Sequence, residues 1–182
     1  MLETARLRLR PHRLADLADL LAMWSDPAVT RYIGGKPSSE QQVWMRILGY
    51  TGHWALLGFG YWVVEEKASG AFAGELGFAD YKRPIAASMR GFPELGWALA
   101  PHAHGRGYAT EALRAALAWG DAHLLSARTV CLIDPENAPS IRVAEKCGYR
   151  VFERGSFAER TMLFCERFAP GSRAAVTEGR SS

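Results

Sequence analysis

The chain has 182 residues, 22 basic and 19 acidic side chains and a formal net charge of +3. One core in a chain of this length buries roughly 70% of the unfolded surface, so metals and disulfides are not required. A content of 48% apolar and 23% charged residues excludes disordered, collagen-like and coiled-coil classes.

The charges are interspersed, with no basic block of the kind that marks a nucleic-acid partner. No apolar run approaches the roughly 20 residues of a membrane span. Residues 1–6 lack the apolar stretch of a secretory signal, so a cytoplasmic protein is expected. Cys131, Cys147 and Cys165 are odd in number and widely spaced, which fits neither a zinc knuckle nor a disulfide framework. Each lies among apolar neighbours and reads as a buried thiol rather than a nucleophile.

In chain order, residues 4–10 alternate apolar and charged, the period of a half-buried strand. Leu14, Leu17, Leu20, Leu21 and Trp24 recur at helical spacing until Asp26-Pro27. Two capping boxes, Ser38 with Gln41 and Ser39 with Gln42, announce a second helix carrying Val43, Trp44, Ile47 and Leu48 and fading before Gly58. Residues 61–64 and 71–78 read as an antiparallel pair, and residues 81–92 as a basic irregular loop. A strand over 94–99 runs into Pro101, and a helix follows with Ala109, Ala112, Leu113, Ala116, Leu117 and Gly120 on one face. Residues 129–133 form a β-branched run, residues 137–147 a helix capped by Gly148, and two strands near 149–154 and 161–168 meet through Gly155-Ser156. Residues 169–182 read as a disordered tail after a single domain over 1–168. The pattern predicts a mixed α/β domain around one central sheet.

The segment Leu99-Ala100-Pro101-His102-Ala103-His104-Gly105-Arg106-Gly107-Tyr108-Ala109-Thr110-Glu111 ends a strand, supplies two glycines and opens a long helix. Orphan amides and the dipole at a helix start attract anions, and glycines let a bulky one approach. Arg106 adds a cation and Thr110 a hydroxyl, so the segment reads as a pyrophosphate cradle or as a tight strand-to-helix connection. It is not a P-loop, because no Gly-Lys-Ser/Thr follows four spacers, and Thr110 stands where a dinucleotide fingerprint needs its third glycine. His102 and His104 are a conceivable metal pair, but no third ligand is near, so no metal is expected.

Gly105-Arg106-Gly107-Tyr108-Ala109-Thr110-Glu111-Ala112 resembles the acetyl-CoA loop of the GCN5-related N-acetyltransferases (GNAT superfamily), closest to the ribosomal-protein-alanine acetyltransferase branch. Thr4–Arg10 resembles that branch's first strand, Glu94–Leu99 the strand before the loop, and Asn137–Tyr149 its Asn-x-x-Ser-x-Arg-Val-x-Glu-Lys-x-Gly-Phe helix. The resemblance spans residues 2–168. It implies a mixed, mostly antiparallel sheet of about seven strands, a V-shaped splay between two parallel strands, and about four flanking helices. It further implies direct transfer of an acetyl group from acetyl-CoA to a primary amine in a ternary complex. The first reading of the acceptor is a protein N-terminal α-amine. The alternatives are a small-molecule amine (amino acid, polyamine or antibiotic) and a non-catalytic acyl-CoA sensor. The chain would act as a monomer or homodimer.

On the same resemblance Trp97, Ala98 and Leu99 would line the pantetheine arm, and His104, Gly105, Arg106, Gly107, Tyr108, Ala109 and Thr110 would surround the pyrophosphate. Asn137 and Ser140 would contact the arm. Arg142 and Lys146 would approach the adenosine phosphates or simply form a solvated helix face. Glu94 is the candidate base or an exposed strand-start carboxylate. Ser140 is the candidate acid or a helix cap, since many relatives carry a Tyr seven residues after the Asn and this chain has Ala144 there. His102 stands where the family often has Gln or Arg. Arg31, Tyr32, Trp44 and Tyr81, with Lys82 and Arg83, lie on the expected acceptor side, although helix packing accounts for Trp44 equally well.

Overall fold

Strands buried almost continuously at the centre build one sheet, and helices pack on its faces. The computed structural model describes residues 1–172, so the tail expected over 169–182 lies, from residue 173 onward, outside the described residues. The eight strands are β1 (Leu2–Glu3), β2 (Leu7–Arg10), β3 (Tyr61–Glu66), β4 (Phe72–Ala79), β5 (Glu94–Leu99), β6 (Arg128–Ile133), β7 (Arg150–Phe157) and β8 (Arg160–Phe168). Their order in the sheet is β1-β2-β3-β4-β5-β6-β8-β7. Every neighbouring pair is antiparallel except β5 and β6.

The strand expected over 4–10 is shorter, β2 over Leu7–Arg10, and residues 4–6 instead turn the chain from β1 into it. Thr4 turns the chain, its amide donating to the Leu7 carbonyl at 2.9 Å, and its hydroxyl oxygen accepting from the Leu7 amide at 2.8 Å. The closing hairpin also differs from expectation, turning at Ala158-Glu159, whose φ values are +50° and +63°, rather than at Gly155-Ser156. Gly155 stays inside β7 because the Phe164 ring lies across it, where a Cβ would sit 2.3 Å from a ring carbon. A two-residue hairpin of this kind is usually signalled by Asn-Gly or Asp-Gly, and neither is present.

The helices are α1 (Leu17–Ser25), α2 (Pro27–Thr30), α3 (Glu40–Leu57), α4 (Tyr108–His123) and α5 (Ala138–Lys146), with Leu14–Asp16 a separate 3-10 turn. Asp26 ends α1 as predicted but at once caps α2, its carboxylate accepting from the Ala28 amide at 2.8 Å with Pro27 at the first helical position. Of the two predicted capping boxes only Ser39 with Gln42 forms.

Two apolar cores flank the sheet. Leu20, Met23 and Trp24 of α1 pack with Val43 and Ile47 of α3 against Ala98 and Ala100. On the other side Ala112, Leu113, Ala116 and Leu117 of α4 pack on Leu7, Leu9, Trp62, Leu76 and Phe78. Among the described residues no helix is long and apolar enough to cross a membrane.

The sheet is interrupted between β5 and β6. Their parallel pairing consists of one register pair, Glu94 with Val130, secured by the Val130 amide donating to Pro93 at 3.1 Å. Beyond that vertex β5 continues to pair only with β4, and β6 only with β8.

Candidate active site

The V between β5 and β6 leaves the backbone edge of Leu95–Leu99 without a strand partner on that side. Buried main-chain donors and acceptors require partners, so such an edge is suited to an extended amide-bearing ligand. A cavity of about 390 Å³ opens at the V, lined by Glu94, Gly96, Trp97 and Ala98 of β5, by Leu132 and Ile133 of β6, and by Asn137 and Ser140 at the start of α5. Asn137 caps α5, its side-chain oxygen accepting from the Ser140 amide at 3.2 Å, so the capping role belongs to Asn137 and its NH2 group stays available. The Ser140 hydroxyl lines the cavity and makes no hydrogen bond among the described residues.

At the far end of β5 the chain enters the glycine loop. Gly105 and Gly107 have φ values of +71° and +77°, a left-handed conformation that side chains rarely tolerate, and Gly107 is the N-cap of α4. A Cβ on Gly105 would meet nothing within 4 Å, so open space lies over the loop. No backbone carbonyl among the described residues outside α4 accepts from the amides of residues 105–110. Free amides at a helix start beneath open space are the arrangement to which anions bind.

The loop's surroundings are more ordered than the sequence indicates. The Tyr108 ring is buried between two guanidiniums, Arg6 at 4.7 Å and Arg106 at 4.5 Å from its centre. Arg106 pairs with Glu66 at 2.5 Å, and the Tyr108 hydroxyl bonds the same carboxylate. Bonds from Ser69, Tyr108 and Arg106 hold the Glu66 pKa down at about 2. Arg6 pairs with Glu111 at 2.6 Å and donates to the Arg106 carbonyl at 3.0 Å, fastening the loop to the first strands. His102 and His104 are occupied by the carbonyls of Phe72 and Leu99, at 2.9 and 2.8 Å. Among the described residues no three His, Cys, Asp or Glu side chains are grouped as a metal would require.

On the opposite side of the vertex the cavity is walled by Trp24, Tyr32, Tyr50, Tyr61, Tyr81 and Phe157. Tyr50 stacks on Tyr61 at 4.2 Å, and the Tyr81 hydroxyl donates to that of Tyr61 at 3.2 Å. Burial pushes the pKa of all three phenols up, so they are neutral near pH 7. Beneath this wall lies Glu75, almost wholly buried, accepting from Trp24 Nε1 at 3.0 Å and from the Tyr50 hydroxyl at 3.1 Å and facing His12 Nε2 at 3.0 Å. A Cβ on Gly96 would sit 2.0 Å from the Tyr61 hydroxyl oxygen, so the phenol reaches β5 only because residue 96 has no side chain.

Glu94 stands at the vertex, between the V and this aromatic wall. Burial pushes its carboxyl pKa up, and Arg83 opposes the shift through bonds of 2.5 Å from Nη2 to both oxygens. The Arg83 guanidinium is itself held between the rings of Tyr81 and Phe157, 4.7 and 4.5 Å from their centres. A partly desolvated carboxylate in a cleft holds a proton more readily than an exposed one, which suits a general base.

The sequence-predicted residues are distributed as follows. Glu94, Trp97, Ala98, Asn137, Ser140, Tyr32 and Tyr81 line the one cavity. His104 to Thr110 form the glycine loop and the start of α4, while Leu99 is buried, its carbonyl taken by His104. Arg142 and Lys146 are exposed on α5, and Arg31 and Trp44 are exposed outside the cavity lining. Reading the sequence alone misses Trp24, Arg46, Tyr50, Tyr61, Phe157 and Arg160. Arg46 carried a signal, because it lies three residues after Val43 and four before Tyr50, on the buried face of α3.

Comparisons with known proteins agree with this geometry. Residues 6–150 match the family described as the acetyltransferase (GNAT) domain. The chain is 34% identical over 154 residues to protein YkkB of Bacillus subtilis, covering 81% of this chain and 83% of that one. A GnaT-family acetyltransferase structure from Bordetella pertussis superposes with a TM-score of 0.79 at 33% identity, covering 91% of this chain and 98% of that chain. Spermidine N-acetyltransferase from Vibrio cholerae, solved with CoA and spermine, shares the fold with a TM-score of 0.73 at 18% identity, covering 91% and 97%. With a family match over residues 6–150 and a sheet split between β5 and β6, this chain belongs to the GNAT acetyltransferases.

Proposed function

We propose that this chain transfers the acetyl group of acetyl-CoA to the α-amine of a protein or peptide N-terminus, by direct attack within a ternary complex. The observation that carries this reading is Glu94, a desolvated carboxylate at the vertex where the free edge of β5, the cradle-side cleft and the aromatic cavity meet. The amides of residues 105–110 would hold the diphosphate, with the free edge of Leu95–Leu99 and the Asn137 NH2 group holding the pantetheine amides. Arg142 and Lys146, exposed and one turn apart on α5, would meet the adenosine phosphates. The bound thioester supplies the acyl group. Glu94 would draw the proton from the incoming ammonium; as the C–N bond forms and the C–S bond breaks, the nitrogen's second proton would pass through the Ser140 hydroxyl to the departing thiolate, Ser140 taking the place of a phenol at Ala144.

The α-amine is favoured by the chemistry of deprotonation. At pH 7 freeing a lysine-like amine of pKa ~10.4 costs about 4–5 kcal/mol, whereas an α-amine of pKa ~7.8 costs about 1 kcal/mol. A single carboxylate already bonded to Arg83 meets the smaller demand. The Asn137–Tyr149 segment supports placement near the ribosomal-protein-alanine branch, whose acceptors are α-amines. Thiol release from acetyl-CoA, followed with a panel of free α-amines and with lysine-like ε-amines, tests the reading. Turnover of α-amines well above that of ε-amines supports it, and the reverse preference rejects it.

A further inference from the structure

The aromatic cavity contains three guanidiniums, and they are not equivalent. Arg83 is bonded to Glu94, and Arg160 is bonded to Asp134. Arg46 reaches the same cavity from α3 with no carboxylate within ion-pair distance among the described residues. Its guanidinium lies over Trp24, 4.1 Å from the ring centre, with the Tyr50 phenol beside it, and it makes no hydrogen bond to a carboxylate among the described residues. The nearest acidic group, Glu75, has both oxygens engaged by Trp24, Tyr50 and His12. A half-buried guanidinium with vacant donors inside a ring of neutral phenols binds a planar carboxylate in bidentate fashion.

The carboxylates of the cavity point to the same class of ligand. Glu94 and Asp134 are each already on an arginine, so the described residues lining the cavity offer no unpaired carboxylate to the second ammonium of a polycation. Arg46, Arg83 and Arg160 would repel such a ligand. We infer that the acceptor is an amine that also carries a carboxylate, with the carboxylate seated on Arg46 and the amine directed toward Glu94. This inference rests on the acetyltransferase reading above and deepens it.

The test compares matched amines that differ only in the carboxylate: L-phenylalanine against 2-phenylethylamine, and Asp-Ala amide against Ala-Ala amide, with spermidine as the polycation. Acetyl-CoA binding is first recorded by calorimetry, since absent heat there indicts the acetyltransferase reading itself. With that binding present, the expected result is a kcat/KM at least about tenfold higher for the carboxylate-bearing member of one pair. The pair that shows the effect tells a free amino acid from an acidic N-terminus. Arg46→Gln should bring the ratio close to one with the KM for acetyl-CoA within about twofold, and Arg46→Lys should leave an intermediate ratio. Calorimetric titration of the preferred amine into the CoA-bound protein should lose its heat in Arg46→Gln. Preference for spermidine or 2-phenylethylamine, a ratio unaltered by Arg46→Gln, or no turnover of any carboxylate-bearing amine by protein that binds acetyl-CoA would overturn the inference.

Discussion

Arg83 grips both carboxylate oxygens of Glu94 through a single nitrogen, at 2.5 Å each, while burial of Glu94 works in the opposite direction on its proton affinity. Burial prevails, so the Glu94 pKa stands above the ordinary carboxylate value. A base acts when deprotonated, and kcat/KM should therefore rise with pH through a limb displaced upward from the usual range. Arg83→Met removes the opposing charge and should move that limb to still higher pH, whereas Glu94→Gln should abolish it and lower kcat by about a hundredfold. A pH–rate profile of the three proteins decides the matter, and an unaltered limb in Glu94→Gln would assign the base elsewhere.

Gly96 and Tyr61 are coupled through space. Ala at 96 would place a Cβ 2.0 Å from the Tyr61 hydroxyl oxygen but 3.2 Å from the ring carbon behind it. Gly96→Ala should destabilise by about 2 kcal/mol, as overpacking does. Adding Tyr61→Phe should recover a good part of that loss, which a double-mutant cycle in urea would record as a non-zero coupling. Strict additivity of the two changes would contradict the contact.

Gly105 has a positive φ with open space beyond its α-carbon. Gly105→Ala should therefore cost only about 1–2 kcal/mol of backbone strain. That corresponds to a fall in Tm of about 2–8 °C for a chain of this size. The Kd for acetyl-CoA should weaken by more than about tenfold, since the added methyl stands where the diphosphate approaches the amides. Thermal unfolding and calorimetry on the same sample separate the two effects.

Far from the cavity, the buried Arg10–Asp16 pair is held by two hydrogen bonds of 2.8 and 2.6 Å, with Arg10 also on Glu65 at 2.6 Å. Burial alone would raise the Asp16 pKa, but bonds from Arg10 and the Arg13 amide leave it lowered. The sign follows from linkage: the stability this carboxylate contributes is full above its unfolded pKa of ~3.9 and is lost as pH falls through the lower folded value. Asp16→Ala should cost about 3 kcal/mol at pH 7 by leaving a buried guanidinium underpaired. The gap from wild type should narrow below about pH 4, as measured by urea unfolding across pH.

Much of this architecture is legible in the residues themselves, and the exceptions have physical causes. The strand-glycine-helix signal over 99–112 locates the cradle because it is local, written in consecutive residues that fix their own backbone. Glu94 is legible for the same reason, being at the start of a strand that leads into that loop. The aromatic cavity is not legible, because Trp24, Arg46, Tyr61 and Phe157 are distant in sequence and meet only after α1, α3, β3 and β7 have assembled. Trp44 shows the converse case: its helical spacing with Ile47 and Leu48 suggests a buried face, yet Val43, Ile47 and Tyr50 take that face and Trp44 turns outward. The splay is legible only through the family resemblance, since nothing in Leu95–Leu99 itself announces that its second edge will go unpaired.

Titration calorimetry of the full chain with acetyl-CoA tests the account at its root. One saturable site per chain, weakened in Gly105→Ala and retained in Glu94→Gln, is the predicted result. A flat trace with the intact coenzyme, or binding indifferent to the Gly105 change, would contradict it.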